Sequence, residues 1–218
     1  MKYTQTTKCL ILFVILGGSL AAAKQVAHII GTRKEPTIAN RVHIGGKIKE
    51  QTEAYSIEAR YPVTGEASID AALKTVVDEQ IRDFKKNGGE VAPSEAWKND
   101  LTITVEPYAF SERYHSYRFD VSFFTGGAHP NLLYVTKTFD METGRELALR
   151  DLFKSNVNVL KEVSERAIAE LQMRGDEIGL TEESLADGAS PTSANYQDFV
   201  LTPTELIVYF EPYAVAPY

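Results

Sequence analysis

The sequence predicts an α+β domain, in which a mostly antiparallel sheet is packed by two main helices within a single domain. Apolar residues make up 44% of the 218 residues, which is enough for one good-sized core. Two stretches carry apolar residues three and four positions apart, as one buried face of a helix requires. Residues 114–139 instead alternate apolar and polar side chains, which is typical of strands with one buried face.

The N-terminal segment differs in composition from the rest of the chain. Lys2 and Lys8 flank a short polar start, an apolar run follows from Cys9 to Gly18, and small residues occupy 19–23. This order is typical of a signal peptide, and the apolar run is shorter than the roughly 20 residues of a spanning helix. Residues 1–23 are therefore predicted to be a signal peptide or, if left uncleaved, a membrane anchor.

The remaining chain divides into a spacer and a domain. Residues 24–46 show weak periodicity and are interpreted as a spacer, and residues 47–218 form the predicted domain. We expect an extracytoplasmic location, periplasmic or secreted, with membrane contact only through an uncleaved N-terminal segment. Cys9 is the only cysteine, so the exported domain is expected to be stable without a disulfide.

The first half of the domain contains predicted strands around one helix. Residues 47–61 alternate loosely and predict one long strand or two short ones. Ser68 opens a helix that ends at Asn87-Gly88-Gly89, and Leu101–Val105 begins another strand. The buried stripe of this helix is predicted to be Ile69, Leu73, Val76, Val77, Ile81 and Phe84.

The second half begins with the two central strands and their turn. Thr125–Asn131 contains two glycines and a proline, which favour a tight connection between antiparallel strands. A second helix is predicted over 156–174, with Ser155 as its N-cap. Residues 176–197 are interpreted as a long acidic surface loop, and residues 199–210 as a closing hairpin.

Composition and motifs exclude several function classes. The formal charge of −7 disfavours a nucleic-acid binder, because phosphate neutralisation needs a basic face. The 4 histidines are not spaced as metal ligands, and the chain has no G-x-S-x-G elbow, phosphate loop or dinucleotide motif. We therefore predict no metal, no cofactor and no catalytic residue. His129 contacts a partner or else bonds its own loop, and Trp97 is interpreted as a lid on the core in preference to a ligand platform.

Several motifs together resemble a known family. They are Phe123-Phe124-Thr125-Gly126-Gly127-Ala128-His129-Pro130-Asn131, Thr143-Gly144-Arg145-Glu146-Leu147, Leu149-Arg150-Asp151-Leu152-Phe153 and Tyr209-Phe210-Glu211-Pro212-Tyr213-Ala214. The chain is identified as similar to the extracytoplasmic PdaC/RsiV-like domain. That domain is shared by the lysozyme-sensing anti-sigma-V factor and the N-terminal part of a peptidoglycan deacetylase.

The resemblance implies a non-catalytic, exported binding module of the bacterial cell envelope. Its expected partner is a cationic protein such as lysozyme, or else cell-wall glycan. A membrane-anchored signalling sensor and an accessory to a peptidoglycan-active enzyme are the alternatives. The predicted binding residues fall in the central turn and the acidic loop: Thr125, Gly126, Gly127, His129, Pro130 and Asn131, with Asp176, Glu177, Glu182, Glu183 and Asp187.

Overall fold

The computed structural model describes residues 11–15, 43–89, 97–127, 129–173 and 180–216. The expected α+β class is confirmed, with three helices, one large sheet and one small sheet. Most of the predicted spacer lies outside the described residues.

The large sheet has six strands in the order β2-β3-β4-β5-β6-β7. Neighbouring strands pair antiparallel except β3 and β4, which are parallel because helix α1 connects them across one face. The first strand begins before the predicted domain start at Lys47, with an irregular register between its first residue and Gly46. The elements are β2 His43–Gln51, β3 Tyr55–Val63, α1 Ala67–Phe84, β4 Asn99–Ala109, β5 Tyr114–Phe124, β6 Asn131–Asp140 and β7 Arg145–Glu146.

Helix α1 covers one face of the large sheet and forms the first hydrophobic core with it. All six residues of the predicted stripe are buried, and Asp70 accepts hydrogen bonds from the backbone N–H groups of Thr64 and Gly65. The odd-numbered positions of β5 point into this core, as the period of two predicts. The sheet residues of this core include Ile57, Leu101, Ile103, Tyr117, Phe119, Val121 and Phe139.

The second core lies between the remaining helices and the small sheet. Helix α2 begins at Val159, later than predicted, because Asn158 and not Ser155 caps it through a hydrogen bond from the Lys161 N–H group. The small sheet has the order β1-β9-β8, and β1, which lies within the segment predicted to be a signal peptide or membrane anchor, pairs antiparallel with β9. The elements are β1 Ile11–Ile15, α2 Val159–Gln172, α3 Glu182–Gly188, β8 Phe199–Leu201 and β9 Glu205–Tyr209.

The two sheets meet along a row of buried hydroxyl groups, which we call the hydroxyl seam: Ser116, Thr136 and Thr138. The Phe199 N–H donates to Thr136 Oγ1 at 2.8 Å, and the Leu201 N–H donates to Ser116 Oγ at 3.0 Å. Ser116 and Thr138 lie 2.8 Å apart, and Thr138 donates to the Phe199 carbonyl at 3.5 Å. Because the Thr138 hydroxyl donates its single proton to that carbonyl, the Ser116 hydroxyl is the donor in the hydrogen bond between Ser116 and Thr138. The seam thus satisfies backbone groups of edge strand β8 that a further strand would otherwise pair.

The predicted acidic loop is only partly a loop. Within it, α3 spans Glu182–Gly188, and a single 3₁₀ turn follows at Ser193–Tyr196. Thr181 caps α3, since its hydroxyl accepts from the Ser184 N–H while the Thr181 N–H donates to Ser184 Oγ. Across the described part of the chain, no helix has the length and apolar character needed to cross a membrane.

Candidate functional site

A cleft of about 1040 Å³ runs beside strand β6, between the two cores. One wall comes from the C-terminal turn of α1, with Asp83 and Phe84, and from residues 133–138 of β6, whose side chains point to alternate faces of the sheet. The opposite wall comes from the start of α2 and the segment before β8. Strand β7 pairs with only the last two residues of β6, so the sheet leaves room for this cleft along most of that strand. Its volume is that of a small-molecule or oligomer site.

Asp198 is the most perturbed titratable residue that lines the cleft. Its Oδ1 accepts the Thr136 N–H at 2.7 Å and the Thr136 hydroxyl at 3.2 Å. The carboxylate therefore occupies the place of the next strand's carbonyl at the edge of β6. Asp198 lines the cleft, and no described residue donates a hydrogen bond to its Oδ2, so this oxygen is available as an acceptor.

Burial raises the pKa of Asp198 to about 6, and the hydrogen bonds from Thr136 offset part of that rise. Nearby Glu211 raises the pKa further, whereas Lys137 lowers it. Lys137 Nζ is itself paired with Glu146 Oε1 at 2.7 Å, so its charge is largely neutralised locally. A carboxyl group with this environment in a cleft is a candidate binding or proton-exchanging group.

Aromatic side chains supply much of the remaining cleft lining. Phe123 and Tyr134, both half-buried, come from the central strands, whereas Tyr196 and Phe199 come from the second core and are buried. Tyr196 is held in place because its hydroxyl donates to the Ala189 carbonyl at 2.7 Å. Aromatic faces next to oriented polar groups bind amphipathic ligands, which have both apolar faces and hydroxyl edges.

Arg118 joins the back of this region to the small sheet. Its guanidinium donates to Asp120 at 2.6 Å and to the hydroxyls of Tyr108 at 2.9 Å and Tyr209 at 3.1 Å. It also lies 4.8 Å from the ring centre of Tyr134. Desolvation opposes the charge of Arg118, but these hydrogen bonds keep its pKa above the ordinary value. The contact with Arg118 holds the ring of Tyr134 in place, and Tyr134 also lines the cleft.

The residues predicted in the central turn are brought together at the hairpin end of β5 and β6. Thr125 lines the cleft, Gly126 and Gly127 have φ angles of 102° and 114°, and Asn131 pairs with Phe123. The two positive φ angles explain why glycine stands at both positions. Pro130 is exposed, and His129 Nδ1 lies 3.0 Å from the carbonyl oxygen of Pro130, a contact within its own loop.

The predicted acidic residues that the structure describes lie apart from the cleft. Glu182, Glu183 and Asp187 are exposed on α3, and none of them belongs to the cleft lining. Asp176 and Glu177 lie outside the described residues. Among the described residues, the predicted binding residues therefore form two separate groups, of which only the turn touches the cleft.

Sequence reasoning did not find Asp198 or its partner Thr136. Their contact joins positions 62 residues apart, which no local pattern reveals. The available signal was a carboxylate directly before an apolar strand, since Asp198 precedes the buried Phe199-Val200-Leu201 run. Within the described ranges, no group of three His, Cys, Asp or Glu side chains is arranged to hold a metal ion.

The fold and the cleft define a class of protein, an α+β domain with two cores and a ligand-sized cleft between them. Residues 48–132 match the family model described as deacetylase PdaC, and residues 150–218 match the one described as a protein of unknown function, DUF3298. The two matches, over separate parts of the chain, support the PdaC/DUF3298-like family that the motifs of the sequence predict.

Individual proteins that this chain is similar to carry the same two family names, PdaC and DUF3298. The peptidoglycan-N-acetylmuramic acid deacetylase PdaC of Bacillus subtilis is 25% identical over 192 residues, which cover 84% of this chain and 41% of that protein. The chain thus spans less than half the length of this curated relative. A DUF3298-family crystal structure from Bacteroides fragilis has 16% identity and a TM-score of 0.48, covering 79% of this chain and 84% of that one. One from Pseudomonas aeruginosa has 12% identity and a TM-score of 0.42, covering 79% and 96%.

Proposed function

We propose that this chain is a non-catalytic binding domain of the bacterial cell envelope and that its cleft binds a glycan strand of the cell wall. The observation that carries the proposal is the cleft itself, in which an oriented carboxylate stands among aromatic side chains. The Bacillus subtilis relative is named for a peptidoglycan sugar, which supports an envelope glycan as the ligand class. The proposal includes an extracytoplasmic location, supported by the same relative, since peptidoglycan lies outside the cytoplasmic membrane.

The cleft chemistry matches a sugar chain in two respects. The apolar faces of pyranose rings pack on aromatic side chains, and Phe123 and Tyr134 are among those that line the cleft. The hydroxyl and amide groups at the ring edges need hydrogen-bond acceptors, and Oδ2 of Asp198 is such an acceptor. Thr136 holds the carboxylate in place before the ligand arrives, which lowers the entropic cost of binding.

The cleft is also elongated. Residues 133–138 of β6 all line it, and six strand residues extend over roughly 17 Å. A ligand that follows this strand is longer than a single sugar ring. Oligosaccharides should therefore bind more tightly than the monosaccharide.

Binding to purified peptidoglycan and to N-acetylglucosamine oligomers tests the proposal. Calorimetry with the full chain should give saturable binding at about pH 7.5, where Asp198 is mostly ionised. Asp198→Asn replaces the available acceptor by a donor and should weaken binding about 10- to 100-fold, as loss of a charge-assisted hydrogen bond does. Asp187→Asn is the matched control, because it removes an exposed carboxylate outside the cleft. Absence of binding to both materials, or equal weakening by the two variants, would contradict the proposal.

A cationic protein such as lysozyme is a second candidate ligand. The exposed carboxylates of Glu182, Glu183 and Asp187 on α3 favour it, because they add to a net charge of −7. Attraction of this kind raises the association rate and weakens with salt. Interferometry against lysozyme at low and physiological salt, with all three residues changed to amides, tests this candidate. Binding that is lost at physiological salt or is unchanged in the amide variant speaks against it.

A further inference from the structure

Trp97 is exposed, although it was interpreted as a lid on the core. The residue is 45% exposed, and it precedes β4 at the hairpin end of the large sheet. Its ring packs edge-on against Phe124, with the ring centres 6.1 Å apart. One side of the indole is thus supported while much of its surface remains open to solvent.

The turn beside Trp97 presents backbone without side chains. A β-carbon built on Gly126 would lie 3.8 Å from two atoms of the indole, so this glycine is in direct reach of the ring. A β-carbon on Gly127 would have no neighbour within 4 Å. A flat ligand can therefore lie over the turn and against the indole without meeting a side chain at either glycine.

The turn also connects Trp97 to the cleft. Thr125 lines the cleft, and a β-carbon on Gly126, the next residue, would contact the indole. Trp97 precedes β4, and only β5 lies between β4 and β6. Two strand spacings therefore separate Trp97 from the β6 side of the cleft, which is about 10 Å. A chain of sugars that leaves the cleft at Thr125 reaches Trp97 by crossing the turn.

We propose that Trp97, supported by Phe124 and flanked by Gly126 and Gly127, is a sugar-stacking platform that extends the cleft. This inference rests on the proposed glycan-binding function and assigns it a second subsite. An indole has a large apolar face for the ring and one N–H donor for a hydroxyl or amide oxygen. An N-acetylated sugar presents both features. Trp97 therefore determines how much a longer oligomer gains over a short one.

The chain offers a direct test, because Trp97 is its only tryptophan. Titration of the full chain with N-acetylglucosamine monomer, tetramer and hexamer is followed by intrinsic fluorescence and, in parallel, by calorimetry. The expected result is a saturable change in tryptophan emission with the longer oligomers. Trp97→Ala should reduce the hexamer affinity about five- to tenfold in calorimetry, and Trp97→Phe should restore part of it. Met173→Ala is the control, since Met173 is 73% exposed and does not line the cleft.

The outcomes separate this inference from the proposed function. Suppose that the oligomers bind, that binding leaves the tryptophan emission of the unaltered chain unchanged, and that Trp97→Ala binds with the same affinity as the unaltered chain. The platform is then refuted and the cleft proposal stands. If none of the oligomers binds to the unaltered chain but purified peptidoglycan does, the platform is refuted and the cleft proposal stands; if neither material binds, both are refuted. An equal loss of affinity in Met173→Ala also refutes the platform, because it would show a general surface effect.

Discussion

Replacing Asp198 with asparagine should stabilise the folded protein at neutral pH and leave it nearly unchanged near pH 4. The folded state raises the pKa of this carboxyl from 3.8 to about 6, chiefly through burial. The folded protein therefore binds the proton more tightly than the unfolded chain does. The stabilising contribution of the proton is complete below about pH 4 and is lost as the pH rises through about 6.

The magnitude follows from the pKa difference of about two units. Each unit corresponds to about 1.4 kcal/mol, so the ionised carboxylate costs the folded state about 3 kcal/mol above pH 7. Asparagine keeps an oxygen acceptor for the N–H and hydroxyl of Thr136 but carries no charge to desolvate. Its amide N–H group needs new partners, which reduces the expected gain to about 2 kcal/mol.

Urea unfolding of the unaltered chain and of Asp198→Asn, followed by circular dichroism at several pH values, measures this difference. The free energy of unfolding of the variant minus that of the parent should grow from near zero at about pH 4 to about 2 kcal/mol at about pH 8. Other titrating groups are common to both proteins and cancel in the difference. A difference that stays constant over this range, or a variant less stable at pH 8, would refute the assignment of the raised pKa to Asp198.

Three further predictions concern stability. Ser116→Ala leaves the buried Leu201 N–H without its acceptor and should lower the free energy of unfolding, measured in urea, by about 1–3 kcal/mol. Ser193→Ala, at an exposed position, is the control and should leave that free energy nearly unchanged. Gly188→Ala places a β-carbon against the backbone carbonyl of Ala214 and should cost about 1–3 kcal/mol or more, read as a lower thermal midpoint; an unchanged midpoint contradicts this packing. His115 is only 9% exposed, and neither ring nitrogen makes a hydrogen bond to a described residue. Burial lowers the pKa of His115, and the backbone of Ser111 offsets part of that lowering. Its contribution is present above about pH 6.5 and lost below it, so His115→Phe should reduce acid destabilisation; identical pH profiles would count against this.

The strands and the first helix could be predicted because their signals are local. The alternation around Phe119 and the stop at Asn87-Gly88-Gly89 both lie within one element, and the structure places α1 at Ala67–Phe84. Helix α3 was missed although Thr181 and Ser184 form its capping box, because acidic and small residues dominate the segment. Its short length gave no periodic apolar stripe to detect.

The cleft could be predicted only where one local motif contributes to it. Thr125 was named as part of the glycine turn, and it does line the cleft. Asp198 acquires its environment from Glu211, which follows the neighbouring strand of the same hairpin, and from Thr136, which approaches only when the second core docks on the large sheet. The exposure of Trp97 likewise depends on which face of the sheet the second core covers, and composition carries no information on that.

The hydroxyl seam has a consequence for how the sequence can change over evolutionary time. The Ser116 hydroxyl donates a hydrogen bond to Thr138, and the Thr138 hydroxyl donates one to the carbonyl of Phe199, so each hydroxyl depends on the other. An apolar replacement at either position leaves a donor or an acceptor unpaired, and replacing both still leaves the Leu201 N–H and the Phe199 carbonyl without these partners. Positions 116 and 138 should therefore both keep hydroxyl side chains among homologues, even though one falls in the region that matches PdaC and the other lies between the two matched regions.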